Sequence, residues 1–450
     1  MTRTQINEAL EQLGTRPTKS LGQNFLHDQN LAAWIVDQLE IGPGDHVVEI
    51  GPGLGALSEH VVARAGASTL IEKDGRLVGY LRDRFAANPS VEIHHLDALE
   101  YDPRELFRKG PAKLLGNLPY YVTSPIMFHF AAEPSPVSRM VLTMQKEVAE
   151  RLSASPRTKA YGGLTLVIGR RWRVKYLRTL PPEVFIPAPG VDSAAVLLIP
   201  RTADEFPACD GATFERLVKQ GFSQRRKQLQ KMLRSVEVDF PALAGQIGAT
   251  PQARAEELSL EQWITLTNLV APLPKVEPQD VHGEIFDIVN DHNEVVAQAT
   301  RHEAHEQKLR HRAVHIFVFN KKGELFLQKR SQWKDKNPGA WDSSAAGHVN
   351  AGDDYETTAA RELMEELGVN APVQQIAEIA ASEATGHEFV KLYTARHEGP
   401  FILPPAEIES GGFFPVPLLR QWVAERPRDF ARSFIECLHL LPDDFSNRPH

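Results

Sequence analysis

Apolar residues occur along the first 200 positions in short runs that amphipathic segments separate. The runs at 46–50, 68–72 and 139–144 contain β-branched residues and predict strands, whereas 56–65 has helical spacing. Strands that alternate with helices form a parallel sheet with helices on both faces. Residues 1–200 are therefore predicted to form a doubly wound α/β domain.

The apolar spacing becomes helical after about position 210. Phe214, Leu217, Val218 and Phe222 follow the 3.6-residue period of an amphipathic helix. Residues 201–270 are therefore predicted to form a small helical domain.

A second α/β series follows a proline-rich segment. Three prolines within eight residues predict a semi-rigid linker at 271–279. Beyond it, apolar runs at 284–289 and 313–319 predict strands, and 355–367 predicts a helix. Residues 280–450 are therefore predicted to form another α/β domain.

Charge is distributed unevenly over the 450 residues. The whole chain has a formal net charge of −8, yet residues 139–234 contain 18 basic and 8 acidic side chains. A basic stretch within an acidic chain is compatible with nucleic-acid binding.

The chain has two cysteines, which are too few for a disulfide framework and fit a cytoplasmic protein. The sequence predicts no signal peptide and no membrane span, and we expect a monomer.

A glycine-rich turn, Glu49-Ile-Gly51-Pro-Gly53-Leu-Gly55, joins the first predicted strand to the next helix. Glycines let the backbone turn sharply and approach a ligand closely. Glu72 ends the following strand, where an acidic side chain suits the hydroxyl groups of a ribose. This pattern is compatible with either NAD or S-adenosylmethionine (SAM).

The segment Gly116-Asn117-Leu118-Pro119-Tyr120 follows another predicted strand. The Asn117 side-chain oxygen and the Leu118 carbonyl oxygen can accept hydrogen bonds from an exocyclic amine, and Tyr120 offers a flat face to a base. Holding an amine in line with a sulfonium methyl group is what an amino-methyltransferase needs. The segment favours SAM, although in isolation it is also typical of a turn with a packed tyrosine.

Residues 1–270 resemble the ribosomal RNA adenine dimethyltransferase family. The resemblance is to enzymes that dimethylate two adjacent adenosines near the 3′ end of small-subunit rRNA. Eight motifs in the same order are more specific than any one of them. These motifs lie at 23–28, 49–55, 71–74, 96–98, 116–120, 144–149, 185–193 and 222–229.

The resemblance implies roles for particular residues. Asp97 would accept a hydrogen bond from the adenine amino group of SAM. Tyr120 and Phe185 would stack on the target adenine, which must leave its own stack, and Asn117 and Leu118 would complete the catalytic set. Leu96, Tyr121 and Gly163 depart from the family pattern without removing an assigned group. The residues expected to contact SAM are Asn24, Leu26, Gly51, Gly53, Glu72, Asp97 and Asn117.

Two basic clusters flank the expected base pocket. Neutralisation of phosphates by such side chains would give affinity for RNA. A solvated charged surface is the usual interpretation of one cluster, but two beside a base pocket favour RNA. The expected RNA-binding residues are Arg170, Arg171, Arg173, Arg225, Arg226 and Lys227.

Three glutamates of the helix predicted at 355–367 share one face. Glu362, Glu365 and Glu366 lie at positions i, i+3 and i+4. Such carboxylates repel each other unless a cation lies among them, and oxygen ligands suit Mg²⁺ or Mn²⁺. A solvated acidic face would not explain Gly347 and Arg361 at fixed offsets.

The segment 347–369 resembles the Nudix hydrolase family. The family pattern is Gly, five residues, Glu, seven residues, Arg-Glu-apolar-x-Glu-Glu-x-Gly-apolar, and only Asp353 departs from it. The family cleaves diphosphates linked to another group, with activated water attacking phosphorus.

The domain also resembles the isopentenyl diphosphate isomerase branch of the same superfamily at 338–342 and 347–348. That branch requires a cysteine where this chain has Ala346, so isomerase is the weaker interpretation.

The expected protein is a fusion. A Rossmann-like SAM-dependent methyltransferase with a small helical domain precedes a Nudix α/β/α sandwich domain. The resemblances imply N6,N6-dimethylation of two adjacent adenosines of 16S rRNA in the small ribosomal subunit and hydrolysis of a small diphosphate substrate. The alternatives are a large-subunit rRNA methyltransferase or a non-catalytic ribosome-assembly factor. For the second half, a docking module without hydrolysis is the alternative.

Overall fold

The computed structural model consists of two compact units, Met1–Ala271 and Pro272–His450. The predicted linker at 271–279 lies outside the described residues from position 273 onward. Within the described ranges, no helix has both the length and the apolar composition needed to cross a bilayer. The structure describes residues 1–18, 22–118, 122–202, 205–207, 209–272, 283–331, 334, 336–404 and 407–442.

A seven-stranded sheet forms the centre of the first unit. The strands described in this unit are β1 (Phe25–Leu26), β2 (His46–Ile50), β3 (Ala67–Glu72), β4 (Val91–His95), β5 (Ala112–Asn117), β6 (Val137–Gln145), β7 (Trp172–Leu180), β8 (Phe185–Ile186) and β9 (Ser193–Pro200). Their order in the sheet is β4-β3-β2-β5-β6-β9-β7, and β1 pairs separately with β8.

Strands β2 to β6 run parallel, whereas β9 is antiparallel to both β6 and β7. The predicted doubly wound sheet is confirmed, but its antiparallel edge was not predicted. No α-helix connects β7 to β9, and a connection without a crossover helix suits antiparallel strands.

Helices cover both faces of this sheet. Successive side chains of a strand point to opposite faces. Val48 therefore packs in the same core as Phe130, whereas Val47 packs with Ile35 on the other face. The helices described in this part of the first unit are α1 (Arg3–Gln12), α2 (Gln29–Asp37), α3 (Ser58–Val62), α4 (Gly75–Phe85), α5 (Thr123–Ala131), α6 (Lys146–Leu152) and α7 (Gly163–Gly169).

The predicted helical segment packs around Trp263, which is fully buried together with Phe214 and Leu217. Ser259 caps its last helix, because its hydroxyl accepts a hydrogen bond from the Gln262 N–H at 3.2 Å. This core also includes Leu166 of α7, so it is continuous with the sheet domain. The helices are α8 (Gly211–Gly221), α9 (Leu229–Leu233), α10 (Phe240–Ala244) and α11 (Leu260–Val270).

A mixed sheet forms the centre of the second unit. The elements described in this unit are β10 (Ile285–Val289), β11 (Val295–Thr300), α12 (Arg301–Glu306), β12 (His311–Phe319), β13 (Leu325–Arg330), β14 (Trp341–Asp342), β15 (Ala345–His348), α13 (Tyr355–Leu367), β16 (Gln374–Ile379), β17 (Glu388–Arg396), β18 (Ile408–Phe414), α14 (Val416–Glu425) and α15 (Arg432–His439). Seven strands form the sheet along the path β14-β13-β12-β17-β16, in which β15 pairs with β12 and β18 with β13, whereas β10 and β11 form a separate hairpin.

Helices lie on both faces of this second sheet. Ile316 of β12 packs in one core with Leu363 of α13. Phe317, on the opposite face of the same strand, contacts Phe434 of α15 with ring centroids 5.8 Å apart. The predicted α/β/α sandwich is therefore confirmed.

Candidate functional site

A cavity opens at the carboxyl edge of the first sheet, beside the ends of β2, β3 and β5. The chain passes from β2 to β3 and β4 on one side and then returns to β5 on the other side of β2. Such a switch point leaves a crevice where α/β proteins bind ligands. The residues expected to contact SAM all line this cavity, namely Asn24, Leu26, Gly51, Gly53, Glu72, Asp97 and Asn117.

The glycine-rich turn lines the cavity. Gly51, Gly53 and Gly55 have φ values of +64°, +60° and +83°, a conformation that other residues rarely adopt. At Gly53, an added Cβ would also lie 3.1 Å from the Phe25 ring. The turn conformation continues through Ala56 and Leu57, so α3 spans only Ser58–Val62 and is shorter at both ends than the helix predicted at 56–65.

The Glu72 side chain links the glycine-rich turn to the end of β3 by hydrogen bonds. Its Oε2 accepts a hydrogen bond from the Gly53 N–H at 3.1 Å, and its Oε1 accepts one from the Asp74 N–H at 2.9 Å. Burial raises the pKa of this carboxyl, which is 7% exposed. Each carboxylate oxygen keeps a second lone pair, so Glu72 can also accept from ribose hydroxyl groups.

Asp97 lines the same cavity from beyond β4. The Lys73 ammonium lies 2.6 Å from Asp97 Oδ2, and the Leu99 N–H donates to Oδ1 at 3.0 Å. The Lys73 hydrogen bond is the main cause that lowers the pKa of Asp97. The carboxylate therefore stays ionised, which is the state that accepts a hydrogen bond from an adenine amino group.

The Asn117 side chain is held in one orientation at the end of β5. Its Nδ2 donates to the Asn24 carbonyl oxygen at 3.1 Å, and its Oδ1 accepts from the Thr143 hydroxyl. One lone pair of Oδ1 remains for a ligand. Leu118 is buried beside it, and the predicted catalytic Tyr120, like Tyr121, lies outside the described residues.

Phe185 has a different environment from the one expected of a stacking residue. It pairs with Leu26 across β1 and β8, is 4% exposed and packs in a core with Leu180. It is also absent from the residues that line the cavity. Stacking on a target adenine would therefore require the Phe185 ring to leave this core.

Glu49 is a site residue to which the sequence assigned no role. Its carboxyl lines the cavity, is 1% exposed, and its Oε2 has no hydrogen-bond partner in the structure. Burial raises the pKa of Glu49 to about 8. The signals in the sequence are its position at the start of the 49–55 motif and the presence of an acidic residue within the strand His46–Ile50.

Glu49 makes the stability of the ligand-free protein depend on pH. A carboxyl whose pKa is raised in the folded state holds its proton there, so the free energy of unfolding should fall as pH rises from about 4.5 to about 8. The loss is on the order of a few kcal/mol. Denaturant unfolding at several pH values should show a flatter profile for Glu49→Gln, whereas Glu100→Gln, at an exposed site, should keep the wild-type slope.

The two basic clusters differ in how free their charges are. Arg170 lies over the Phe214 ring, Arg171 forms an ion pair with Glu133, and Arg173 lies 3.7 Å from Glu205. All three residues of the first cluster therefore interact with the fold itself.

In the second cluster, Arg225 donates to the Tyr161 carbonyl oxygen and lies 3.7 Å from Glu256. Arg226 and Lys227 are exposed, and no described residue forms an ion pair with them. Their charges are therefore the most available to a phosphate.

The glutamate face of α13 lies against β15. Glu362 is 2% exposed, and a Cβ added at Gly347 would lie 2.1 Å from its carboxyl carbon. Arg361 lies 2.9 Å from Glu362 Oε1 and 2.9 Å from Glu365 Oε2. The Oε2 atom of Glu362 is buried without a hydrogen-bond partner. Glycine is required at 347 because the carboxyl occupies the space of a side chain.

Glu366 completes this carboxylate group. Its Oε2 accepts hydrogen bonds from Gln328 Nε2 at 2.9 Å and from the Ala346 N–H at 3.1 Å. Burial raises the pKa of Glu366 to about 7 and the pKa of Glu362 well above its usual range. A divalent cation among these carboxylates would offset the unfavourable burial of their negative charges, so the donor set fits Mg²⁺ or Mn²⁺.

Neither cysteine supports isomerase chemistry at this site. Ala346 occupies the position in β15 where the isomerase branch has cysteine, and Cys437 is fully buried in α15. Burial raises the pKa of the Cys437 thiol. Asp353, the departure from the Nudix pattern, is exposed.

Comparisons with known proteins match each unit to a family. Residues 14–272 match the family model "Ribosomal RNA adenine dimethylase", and residues 309–434 match the NUDIX domain model. Ribosomal RNA small subunit methyltransferase A of Aromatoleum aromaticum is 40% identical over 258 residues, which are 57% of this chain and 95% of that protein. The protein of the same name from Bacillus cytotoxicus is 38% identical over 283 residues, 60% of this chain and 97% of that protein.

Among solved structures, the crystal structure of 23S rRNA methyltransferase ErmE is 28% identical and has a TM-score of 0.45. It covers 54% of this chain and 98% of its own. The family match extends over more than half of the 450 residues. The chain therefore belongs to the ribosomal RNA adenine dimethylase family, and it contains a NUDIX domain in its C-terminal region.

Proposed function

We propose that the first unit transfers two methyl groups to N6 of each of two adjacent adenosines near the 3′ end of 16S rRNA in the small ribosomal subunit, with SAM as the donor. The observation that carries the proposal is the fixed Asn117 amide at the edge of a cavity that suits SAM. The relatives that share most of this unit are named for the small subunit.

In this proposal, Asn117 and Leu118 position the amine. Asn117 Oδ1 and the Leu118 carbonyl oxygen accept hydrogen bonds from the N6 amino group, which aims its lone pair along the transfer direction. When bound, SAM supplies an electrophilic methyl group on sulfonium. Glu72 holds the ribose hydroxyls, and Asp97 holds the cofactor's adenine amino group. Tyr120 is proposed to stack on the target adenine, and Phe185 would join it only after its ring leaves the core in which it is buried.

RNA binding is proposed to depend mainly on the second basic cluster. Arg226 and Lys227 are exposed, so they can neutralise phosphates without breaking contacts of the fold. Arg170, Arg171, Arg173 and Arg225 have intramolecular partners and would contribute through the surface that they shape.

Mass spectrometry of rRNA nucleosides from cells with and without the protein tests the reaction. We expect N6,N6-dimethyladenosine in 16S rRNA only when the protein is present. Methylation of purified subunits with labelled SAM separates the alternatives. Label in the large subunit would support a large-subunit methyltransferase. Binding to small subunits without any dimethyladenosine would leave only a role in assembly.

For the second unit, we propose Mg²⁺- or Mn²⁺-dependent hydrolysis of a small diphosphate compound. Glu362, Glu365 and Glu366 would hold the cation, and the buried, unpartnered Glu362 Oε2 supports this assignment. The bound cation supplies Lewis-acid activation of water and phosphate.

A panel of nucleoside diphosphate derivatives, assayed for release of phosphate-containing products with Mg²⁺, tests this proposal. We expect turnover of at least one compound by the wild-type chain and none by Glu366→Gln. No turnover by the wild type across the panel would favour a docking module, whereas equal turnover by both proteins would show that Glu366 is not needed for hydrolysis.

A further inference from the structure

A buried carboxyl group lies in the middle of the proposed SAM site and has no part in the transfer described above. Strand β2 lies between β3 and β5 in the sheet, so Glu49 of β2 lies between Glu72, which ends β3, and Asn117, which ends β5. All three residues line the same cavity. Glu72 is assigned to the ribose and Asn117 to the methyl acceptor. Glu49 therefore belongs to the part of the site that receives the sulfonium centre, which joins the two.

The Glu49 carboxyl group is buried without a compensating charge. It is 1% exposed, and its Oε2 has no hydrogen-bond partner in the part of the chain that the structure describes. The Ser58 hydroxyl and the Glu72 carboxyl face it, and neither is a cation. Lys73 also lines the cavity, but its ammonium group lies 2.6 Å from the Asp97 carboxylate. A carboxylate buried beside a second acidic group is unfavourable, so the ligand-free cavity favours a neutral, protonated Glu49.

The pKa of Glu49 reflects this environment. Burial is the main cause that raises it to about 8, the Ser58 hydroxyl opposes the shift, and the Glu72 carboxyl adds to it. At neutral pH, most of the ligand-free protein therefore holds a proton on Glu49. A cation bound beside the carboxyl would reverse this preference, because a nearby opposite charge favours the ionised form.

SAM and its product differ in charge at the sulfur atom. The sulfonium and ammonium groups of SAM outweigh its carboxylate, so the donor is a cation. S-adenosylhomocysteine (SAH), which remains after methyl transfer, has a neutral thioether in the same place and no net charge. An ionised Glu49 therefore complements SAM, whereas a protonated Glu49 is compatible with SAH.

We propose that Glu49 binds SAM as a carboxylate and regains a proton when SAH forms, so that the cavity prefers the methyl donor to the product. The inference rests on the proposed function, since it takes SAM as the donor. When SAM binds, the O–H bond of Glu49 breaks and the proton goes to solvent.

The charges balance over one round of transfer. The S–CH₃ bond breaks with its electron pair left on sulfur, the lone pair of N6 forms the new N–CH₃ bond, and the amine loses a proton to solvent. The thioether no longer stabilises a carboxylate, so Glu49 takes a proton back from solvent. One proton is released overall, as methylation of an amine requires. Two adjacent adenosines need repeated rounds, and in each round SAH leaves a cavity that no longer attracts its charge.

Calorimetric titration of the full chain tests the proton exchange. Binding heats measured at pH 7 in buffers of different ionisation enthalpy report the protons that are released. We expect close to one proton per SAM bound, because the free carboxyl has a pKa of about 8, and far fewer per SAH bound. The affinity for SAM should rise by about tenfold from pH 6 to pH 7, while the affinity for SAH should stay nearly constant.

Variants at this position separate charge from shape. Glu49→Gln cannot ionise, so at pH 8 it should bind SAM at least about 10-fold more weakly than the wild type, without proton release or pH dependence. Its affinity for SAH should be nearly unchanged, which also verifies that the variant is folded. Glu49→Asp should retain proton release. The control is Glu100→Gln, at an exposed site, which should match the wild type.

The outcomes distinguish this inference from the proposed function. The inference is overturned if SAM binds the wild type without releasing a proton, or if Glu49→Gln keeps the wild-type preference for SAM over SAH. A wild-type chain that binds no SAM would contradict the proposed methyl transfer itself.

Discussion

Replacement of Asn117 with alanine is expected to lower the rate of adenine methylation by about 100- to 1000-fold, the usual cost of removing one preorganised polar group from an active site. The amide is fixed by Asn24 and Thr143, so its free lone pair points in one direction before the substrate arrives. Initial rates with small subunits and labelled SAM, together with calorimetric binding of SAM, check this expectation. The loss should be far larger in turnover than in SAM affinity.

Thr143 provides a companion test of orientation. Thr143→Val removes the hydroxyl that donates to Asn117 Oδ1 but keeps the shape of this buried side chain. Turnover should fall less than in Asn117→Ala, and Thr143→Ser should retain most of it. If Asn117→Ala methylates at the wild-type rate, the amine is positioned by other groups and the proposed mechanism is wrong.

The second large effect is expected at the contact between Gly347 and Glu362. Gly347→Ala puts a Cβ where the Glu362 carboxyl lies, so the carboxylate must move and Mg²⁺-dependent hydrolysis should fall by at least about 10- to 100-fold. Glu362→Gln should cause a similar loss by removing the charge. Hydrolysis rates measured over a range of Mg²⁺ concentrations should show that both variants bind Mg²⁺ more weakly and need a higher Mg²⁺ concentration to reach half of their maximal rate.

Glu356→Gln is the control for that experiment. Glu356 is an exposed glutamate in the first turn of the same helix, α13, and should leave hydrolysis unchanged. Circular dichroism verifies that Gly347→Ala still folds. A folded Gly347→Ala with the wild-type Mg²⁺ dependence would show that Glu362 does not hold the cation.

Individual helices and strands could be predicted where the apolar spacing and the capping residue lie within the same segment of sequence. The helix predicted at 355–367 has the same bounds as α13, since its apolar face alternates with glutamates and Asp354 caps its start. The strand predicted at 46–50 likewise equals β2. The predicted helix at 56–65 was too long at both ends, because the turn after the glycines continues through Leu57 and α3 ends at Val62.

The site was predictable to the extent that motifs follow strands. Residues at the ends of β2, β3 and β5 share one edge because parallel strands end on the same side, and the expected SAM-contacting residues all line one cavity there. The environment of Phe185 did not follow from its motif, since the β1–β8 pairing that buries it joins residues about 160 positions apart.

The sequence by itself determined the doubly wound fold, the Nudix helix and the residues that gather at the sheet edge, because amphipathic period, glycine turns and strand ends are local properties. Only the tertiary structure decided which polar groups lose water. Glu49 is 1% exposed only in the folded unit, and His311, His348 and Glu388 meet through the parallel pairing of β12 with β17 and the antiparallel pairing of β12 with β15. Burial and strand register depend on the whole fold, and no spacing along the chain records them.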